Sequence, residues 1–256
     1  MSSTAPTLTR WTLWRVFGRS LFIQAGFNTE SLQTLGLLYA LEPALKELYP
    51  SPADEQAALR RHLTTFNTHP YVSAAIVGGI LFHEQRLARG EETEEKVARF
   101  KTNLMGPLAA LGDGFFWLSL RPAVGALAAA LVPLISAWAV PVYLVLYNVV
   151  HLTARGRLFT LGLRYGDGLV QRLEATTVKN VGERLRALAA ACAGGLGASI
   201  ALSFGLQQRD LAGLELTLGC AAAGALAAFL AERRVSPYIM LYAIAAAALI
   251  AGVLSR

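Results

Sequence analysis

The stretch PAVGALAAALVPLISAWAVPVYLVLYNVV, residues 122–150, contains no charged residue. An α-helix needs about 20 consecutive apolar residues to cross the hydrocarbon core of a bilayer, and this stretch exceeds that length. Two further uncharged runs occupy residues 187–208 and 235–255, and residues 212–231 form a fourth apolar run with Glu215 near its beginning. The sequence therefore predicts an all-α polytopic membrane protein with about four transmembrane helices in its C-terminal half.

The composition and the charge distribution agree with this class. Hydrophobic residues make up 54% of the chain and charged residues 16%, whereas an average soluble domain has about 25% charged residues. The net charge is +6, but the basic residues are concentrated at 151–186 and at Arg233 and Arg234, beside the apolar runs. Short basic loops next to membrane spans face the cytoplasm, so this charge indicates membrane topology and not nucleic-acid binding.

The same distribution predicts the orientation of the chain. Arg10, Arg15 and Arg19 favour a cytoplasmic N-terminus, and the basic loop 151–186 is expected on the same side. Three crossings after that loop would place the C-terminus outside the cytoplasm. If residues 122–150 cross once, an odd number of crossings must also precede them.

The region before this helical set, residues 1–121, is predicted to alternate amphipathic helices with short, broken apolar segments, and residues 122–256 form the transmembrane region. The stretch WTLWRVFGRSLF begins the first part. As a helix it would have Trp11, Trp14, Phe17 and Leu21 on one face and Arg15 and Arg19 on another. This pattern is typical of a helix lying in the membrane interface. A helix packed on a soluble domain is the alternative.

Three more segments of the first part have recognisable signals. A helix is expected to begin at Pro52 after Ser51 as N-cap. Residues 70–82 are apolar but too short for an ordinary crossing, so a core helix, a re-entrant hairpin and a half-helix all remain open. Residues 103–122 contain Gly106–Pro107 and further glycines at 112 and 114, which predict a broken re-entrant hairpin.

Polar residues interrupt three otherwise apolar segments of this part, and they are Asn28, Glu30 and Gln33, then Asn67, Thr68 and His69, then Asn103, Asp113 and Arg121. Isolated charges at membrane depth cost several kcal/mol, so such residues pair with each other or line a wet cavity. Amides, carboxylates and an aromatic ring suit the hydroxyls and the apolar face of a sugar. His69 precedes an apolar segment that begins with a proline, and Trp117 lies four residues after Asp113.

Structural alternatives exist for several of these residues. Asp113 and Arg121 could form a buried structural ion pair, and Asn28 and Asn67 could cap helices. We expect His62, His83 and His151 to be inert, and Cys192 and Cys220 to be small packing residues. No Ser/His/Asp or Cys/His set can be placed in an aqueous pocket, so we expect neither catalysis nor a cofactor or metal.

Four ordered motifs carry a resemblance to a known family: FNTESLQTLGLLYALEPALKELYP (27–50), RRHLTTFNTHPYV (60–72), HEQRLARG (83–90) and MGPLAALGDGFFWLSLRP (105–122). They resemble the IID membrane subunit of the mannose/fructose/sorbose phosphotransferase permeases. The likeness is strong through residue 122 and mostly hydropathic afterwards. It implies a non-catalytic subunit of the bacterial inner membrane.

The resemblance also implies partners and site residues. In that family IID forms the sugar pathway with a IIC membrane subunit, and cytoplasmic IIA and IIB domains carry the phosphoryl group that is transferred to a hexose-type sugar on entry. The residues carried over by resemblance are Asn28, Glu30, Asn67, Asp113, Trp117 and Arg121. Two alternatives stay open: a diverged IID that regulates or scaffolds without transport, and a self-sufficient secondary transporter that uses Glu30 or Asp113 for protons.

Overall fold

The computed structural model describes residues 7–173 and 175–208, and these residues are helical with connecting turns. The helices are α1 (Arg10–Ser20), α2 (Thr34–Leu48), α3 (Pro52–Arg61), α4 (Ser73–Ala88), α5 (Glu94–Gly112), α6 (Arg121–Ile135), α7 (Ala139–Tyr165), α8 (Leu169–Arg172) and α9 (Ala175–Gln208). A π-helical segment, Asp113–Leu120, joins α5 to α6. The spans predicted over 212–231 and 235–255 lie outside the described residues.

Helix α4 is the centre of the hydrophobic core. Its residues from Ser73 to Leu81 are all buried, and it packs against α1, α2, α5 and α7. The segment 70–82 therefore contains most of a core helix, which is one of the three structures that its length allowed. The predicted start of α3 is confirmed at Pro52 with Ser51 as N-cap, although the Ser51 side chain makes no capping hydrogen bond.

The contact between α4 and α7 brings two backbones together. A Cβ atom added to Gly78 would lie 2.2 Å from the carbonyl oxygen of Phe159, and one added to Gly162 would lie 2.1 Å from the carbonyl oxygen of Ala75. Because any side chain larger than hydrogen would collide with backbone atoms, glycine is required on both helices. Small residues that allow such close approach are a common basis of helix packing in membranes.

We therefore expect Gly162→Ala to destabilise the protein by at least about 2 kcal/mol, since overpacking a well-packed contact typically costs 1–3 kcal/mol. Gly156 lies in the same helix with no heavy atom within 4 Å of an added Cβ. Gly156→Ala is the matched control, and it should be neutral or slightly stabilising because alanine favours helices. Thermal unfolding of the detergent-solubilised protein measures both; equal midpoints for the two variants would contradict this account of the crossing.

The prediction of a broken hairpin over residues 103–122 is wrong. Helix α5, the π segment and α6 follow one another without interruption, and Gly112, Asp113, Leu120 and Arg121 all have right-handed helical backbone angles. Pro107 lies inside α5. Helices that pack among apolar neighbours tolerate glycine and proline when local adjustments satisfy the freed backbone groups, so these residues did not force a bend.

The prediction of a single helix over residues 122–150 is also wrong, because the break occurs in the middle of this uncharged run. Helix α6 ends at Ile135, a 3₁₀ turn covers Ser136–Trp138, and α7 begins at Ala139. Ser136 has a φ of 48°, which is uncommon for residues other than glycine. Helices α6 and α7 then pack against each other as a helical hairpin.

The basic residues at 151–186 are mostly helical. Arg155, Arg157 and Arg164 belong to α7, which continues to Tyr165, and the rest of this region contains α8 and the beginning of α9. The predicted span over 187–208 lies within α9. Two compact units divide the chain at residues 190 and 191. The functional division at residues 121 and 122 stays a prediction.

Large apolar side chains cover much of the outer surface of the first unit. Trp11 and Trp14 on α1 are 71% and 69% exposed, and Trp138 between α6 and α7 is 73% exposed. In the described residues, the helical region Glu94–Arg172 is long and apolar enough to cross a membrane, and only 6% of its most apolar 18-residue window is buried. Such a surface is typical of contact with lipid and not of a soluble core helix.

Candidate functional site

Two loops that carry predicted site residues lie side by side. One loop precedes α2 and contains Asn28 and Glu30, and the other covers residues 62–72 and contains Asn67 and His69. Leu32 and Phe66 form a short parallel β-bridge, and the Gln33 N–H donates to the Phe66 carbonyl at 2.9 Å. The structure therefore brings the polar residues of the first two motifs to one region.

Gln33 is the residue that holds the two loops together. Its buried side chain donates from Nε2 to the Thr68 carbonyl at 2.7 Å and accepts from the Thr68 N–H at 3.0 Å. This pair satisfies both backbone groups of a buried residue, which would each cost about 1–3 kcal/mol if left unpaired. The sequence showed Gln33 among the polar residues of its segment, but nothing in the spacing distinguished it from Glu30, which is exposed.

Asn28, Glu30 and Asn67, three of the four predicted residues of these loops, have different surroundings. Asn28 accepts backbone N–H bonds from Glu30 and Ser31 at 3.1 and 2.8 Å, so it stabilises a turn and does not cap a helix. Glu30 and Asn67 are exposed. The N-caps of α2 and α4 are Gln33 and Val72, so the helix-cap alternative is wrong for both asparagines.

Two buried cationic side chains, Lys101 and Arg155, bind backbone carbonyls of the 62–72 loop. Lys101 Nζ donates to the Thr64 carbonyl at 3.0 Å, and Arg155 Nη2 donates to the carbonyls of Pro70 and Ser20 at 2.8 and 3.2 Å. Both side chains are nearly inaccessible, so hydrogen bonds to backbone oxygens compensate their burial. Neither was predicted, because Arg155 was counted among the basic residues of 151–186 that indicate membrane topology.

A buried carboxylate anchors the beginning of the same loop. Glu84 Oε1 contacts Arg61 Nη1 at 2.6 Å and His62 Nε2 at 2.9 Å, and Glu84 Oε2 accepts from the Tyr49 hydroxyl at 2.7 Å. Burial alone raises the pKa of the Glu84 carboxyl, but the hydrogen bonds and charges of His62 and Arg61 outweigh it, so this pKa lies below its ordinary value. Glu84 of the family motif HEQRLARG is thus the counter-ion of Arg61 in the motif RRHLTTFNTHPYV.

Aromatic rings fill the space between the 62–72 loop, the π segment and α7. We call this group the aromatic cluster, and it consists of His69, Tyr71, Phe116, Trp117, Tyr147 and His151. His69 is stacked on Phe116 with ring centroids 5.2 Å apart and lies edge-on to Trp117 at 4.8 Å. Tyr71 is stacked on His151 at 4.4 Å, and the Tyr147 hydroxyl lies 3.4 Å from the Tyr71 hydroxyl.

His69 has one free nitrogen in this cluster. Its Nδ1 accepts from the Tyr71 N–H at 3.2 Å, which places the hydrogen of a neutral ring on Nε2. Among the described residues Nε2 has no hydrogen-bond partner. His69 therefore has a buried donor without a partner in the described residues, next to Trp117, which is 46% exposed. His151 Nε2 lies 2.9 Å from Asn148 Oδ1, and its ring is stacked on Tyr71. The structure thus gives His151 a packing role, and the expectation that it has no functional role stays a prediction.

The remaining two predicted residues lie on the helix that carries Trp117. Asp113 begins the π segment and Arg121 follows it. Within the described ranges, the ion pairs include neither residue, so the structural Asp113–Arg121 bridge is not formed. Arg121 is exposed and Asp113 is partly exposed. The structure thus brings His69 into contact with Trp117. Asp113 belongs to the same π segment as Trp117, and Arg121 is exposed to the surroundings of the protein.

Comparison with known proteins identifies the family. Residues 7–255 match the mannose/fructose/sorbose family IID component of the phosphotransferase system. The chain belongs to this family. The predicted resemblance is therefore confirmed, and it covers nearly the whole IID chain.

Relatives with curated names support the assignment. This IID chain is 36% identical over 167 residues to the mannose-specific EIID component of Escherichia coli (strain K12), and the aligned residues cover 64% of this chain and 58% of that protein. It is 40% identical over 125 residues to the fructose permease IID component of Bacillus subtilis (strain 168), covering 48% and 46%. It is 34% identical over 178 residues to the sorbose-specific EIID component of Lacticaseibacillus casei, covering 69% and 63%. The chain thus matches between 46% and 63% of the length of these relatives.

Solved structures show the same fold. A chain from the cryo-EM structure of the mannose transporter ManYZ with microcin E492 superposes with a TM-score of 0.60 at 27% identity, covering 97% of this chain and 98% of that one. A second structure of a membrane protein gives a TM-score of 0.69 at 27% identity and the same coverage. The all-helical membrane class is confirmed, whereas the number of crossings stays a prediction.

The position of His69 in this IID chain depends on Gly112. A Cβ added to Gly112 would lie 2.5 Å from His69 Cβ and 2.6 Å from its Cγ. Gly112→Ala should therefore push the imidazole away from Trp117 and cost about 1–3 kcal/mol of stability. Gly106→Ala is the control, because Gly106 lies in the same helix with nothing within 4 Å of an added Cβ.

The emission of Trp117 reports this change in a background where Trp11, Trp14 and Trp138 are phenylalanine. We expect a shifted emission maximum and a lower unfolding midpoint in Gly112→Ala, and neither change in Gly106→Ala. Identical spectra for both variants would show that the His69–Trp117 contact does not depend on Gly112.

Proposed function

We propose that this chain is the IID membrane subunit of a phosphotransferase sugar permease, and that it forms the pathway of a hexose-type sugar together with a IIC subunit. IIA and IIB phosphocarriers at the cytoplasmic face phosphorylate the sugar on entry, so the chain itself is not catalytic. The family match over residues 7–255 is the observation that carries this proposal. The similarity to a chain of ManYZ supports a IIC-type partner.

The chemistry of the site fits a sugar. The half-exposed Trp117 offers an apolar ring for stacking on a pyranose. The His69 Nε2–H is a buried donor with no partner in the described residues, and a sugar hydroxyl that reached it would satisfy it. Asn67 lies two residues before His69 and is exposed. Asn28 and Glu30 belong to the loop that Gln33 fixes beside it. We infer that these residues, with Asp113 and Arg121, line the pathway.

The outer surface supports a partner subunit as well as a bilayer. Exposed aliphatic side chains continue along both arms of the helical hairpin, for example Val132, Leu134, Val140 and Leu144. In water such a continuous apolar surface would cause association. In the membrane we infer that lipid covers one part of it and IIC covers another.

Two other functions make different predictions. A diverged IID that regulates or scaffolds would still copurify with IIC but would support no uptake. A self-sufficient secondary transporter would need no IIC, and its uptake would continue without phosphoenolpyruvate and stop when a protonophore removes the proton gradient. Phosphoenolpyruvate-dependent uptake in vesicles that contain IIA, IIB and IIC distinguishes all three.

In that assay we expect Trp117→Ala to lower the uptake rate on the order of tenfold, because loss of an aromatic contact costs about 1 kcal/mol or more. Trp117→Phe should retain most of the activity. Leu118→Ala is the matched control, since Leu118 is the next residue of the π segment and is 65% exposed. IIC copurification confirms that each variant assembles.

Asp113→Asn separates transport from structure in the same assay. Asp113 has no ion-pair partner among the described residues, so removing its charge leaves no buried cation unpaired and assembly should persist. Loss of uptake in assembled complexes is the expected result. Wild-type uptake by both Asp113→Asn and Trp117→Ala would remove these residues from the pathway.

We also propose that the protein lies in the bacterial inner membrane with its N-terminus in the cytoplasm and its C-terminus outside. The hairpin of α6 and α7 changes the count of crossings before residue 151, but the basic content of residues 10–19 and 151–186 still supports this orientation. With Cys192 and Cys220 replaced by alanine, single cysteines at Ser3 and Ser255 should react with a membrane-impermeant reagent from opposite sides. Labelling of both from one side would overturn the orientation.

A further inference from the structure

A cavity of about 560 Å³ lies between the π segment, α7 and the beginning of α9, within the first compact unit. Its volume is in the range of about 300–1,000 Å³ that is typical of ligand pockets. Its walls are almost entirely apolar and include Leu111, Phe115, Phe116, Val150 and Val178. The polar side chains that line it are Thr153 and Arg157.

A smaller cavity of about 180 Å³ continues this space toward a basic region. It shares Leu111, Phe115 and Val178 with the larger cavity, and it is also lined by Lys179 and Arg186. Arg157 and Lys179 are exposed and form no ion pair with any residue in the described ranges. Arg186 donates to Ser119 Oγ at 2.6 Å, which orients its guanidinium at this opening.

We propose that these two cavities form a binding site for an anionic phospholipid. An acyl chain would occupy the apolar cavity, and the phosphate would lie among Arg157, Lys179 and Arg186. Basic pockets between membrane helices are typical recognition sites for anionic lipid head groups. A sugar does not fit this wall, because its hydroxyls would lose their hydrogen bonds to water without gaining partners.

The site adjoins the aromatic cluster through one residue. Phe116 lines the larger cavity and is stacked on His69. A bound acyl chain therefore contacts the ring that supports His69. The lipid site is separate from the sugar pathway proposed above, and its test requires no transport.

The experiment compares two double variants that remove the same charge from the same two helices. Arg157→Gln with Lys179→Gln removes two of the proposed phosphate ligands, whereas Arg164→Gln with Arg184→Gln removes two exposed basic residues that line neither cavity. The purified full chain, with any copurifying partners, is placed in phosphatidylcholine nanodiscs. Phosphatidylglycerol is then titrated, and bound lipid is counted by native mass spectrometry.

We expect the first double variant to weaken phosphatidylglycerol binding about thirtyfold, since each basic residue near the membrane contributes about fivefold. The control pair should bind like the wild type. Thr153→Trp should also reduce binding by filling the cavity, whereas Leu152→Trp, at an exposed neighbour that does not line it, should not.

Three results would overturn the proposal: equal loss in both double variants, phosphatidylcholine binding as strong as phosphatidylglycerol binding, or efficient disulfide cross-linking from Thr153→Cys to a partner subunit. The last result would mean that a protein helix covers the cavity. Because no sugar or phosphoryl donor is present, failure here leaves the proposed permease function untouched.

Discussion

The close crossing of α4 and α7 sets the position of almost everything else in the described part of the chain. Gly78 and Gly162 let the two backbones meet, which fixes α7 along the length of the core helix. Tyr147, His151, Arg155 and Phe159 follow one another at four-residue steps on α7, so they share the face that Gly162 places against the core. The crossing therefore determines where the arginine and the aromatic rings reach the 62–72 loop.

The loops of the site are irregular backbone held by ionic side chains, and this explains how they remain ordered beside apolar helices. Arg155, Lys101 and Glu84 are each buried, which costs several kcal/mol per ion unless hydrogen bonds compensate it. Here backbone carbonyls and a tyrosine hydroxyl provide those bonds. Loss of any one of these groups would leave a charge or several carbonyls unsatisfied, so the loop geometry is specified by a small number of residues.

The sequence predicted the helical membrane class, the start of α3 and the family, because hydropathy, capping residues and ordered motifs are local signals. It did not predict the continuous helix from Glu94 to Ile135. Glycine and proline at 106, 107 and 112 allow a bend, but only tertiary contacts decide whether one forms, and Gly112 instead provides room for His69. The break at Ser136 was missed because the run was assessed by its lack of charge, although Pro133 and Pro141 flank the break.

The site was predictable in part. Asn28, Asn67, His69 and Trp117 were predicted because polar or aromatic residues stood out in apolar segments or matched the family motifs. The structure brings His69 and Trp117 into contact, and the role of all four in a sugar pathway stays a prediction. Gln33 and Arg155 were missed as organising residues, because their partners are backbone groups far away in sequence. A backbone carbonyl has no sequence signature, so a side chain that binds one cannot be identified by pattern.

The π segment has a consequence for how side chains are distributed around its axis. Its hydrogen bonds join residues five apart, and the Ser119 hydroxyl donates to the Gly114 carbonyl across the same interval at 2.8 Å. Each hydrogen-bonded turn therefore contains one residue more than in an α-helix, and Phe116, Ser119 and Leu120 are buried whereas Trp117 and Leu118 between them are exposed. Adjacent residues of one segment thereby give the aromatic cluster a buried ring, Phe116, and a half-exposed residue, Trp117.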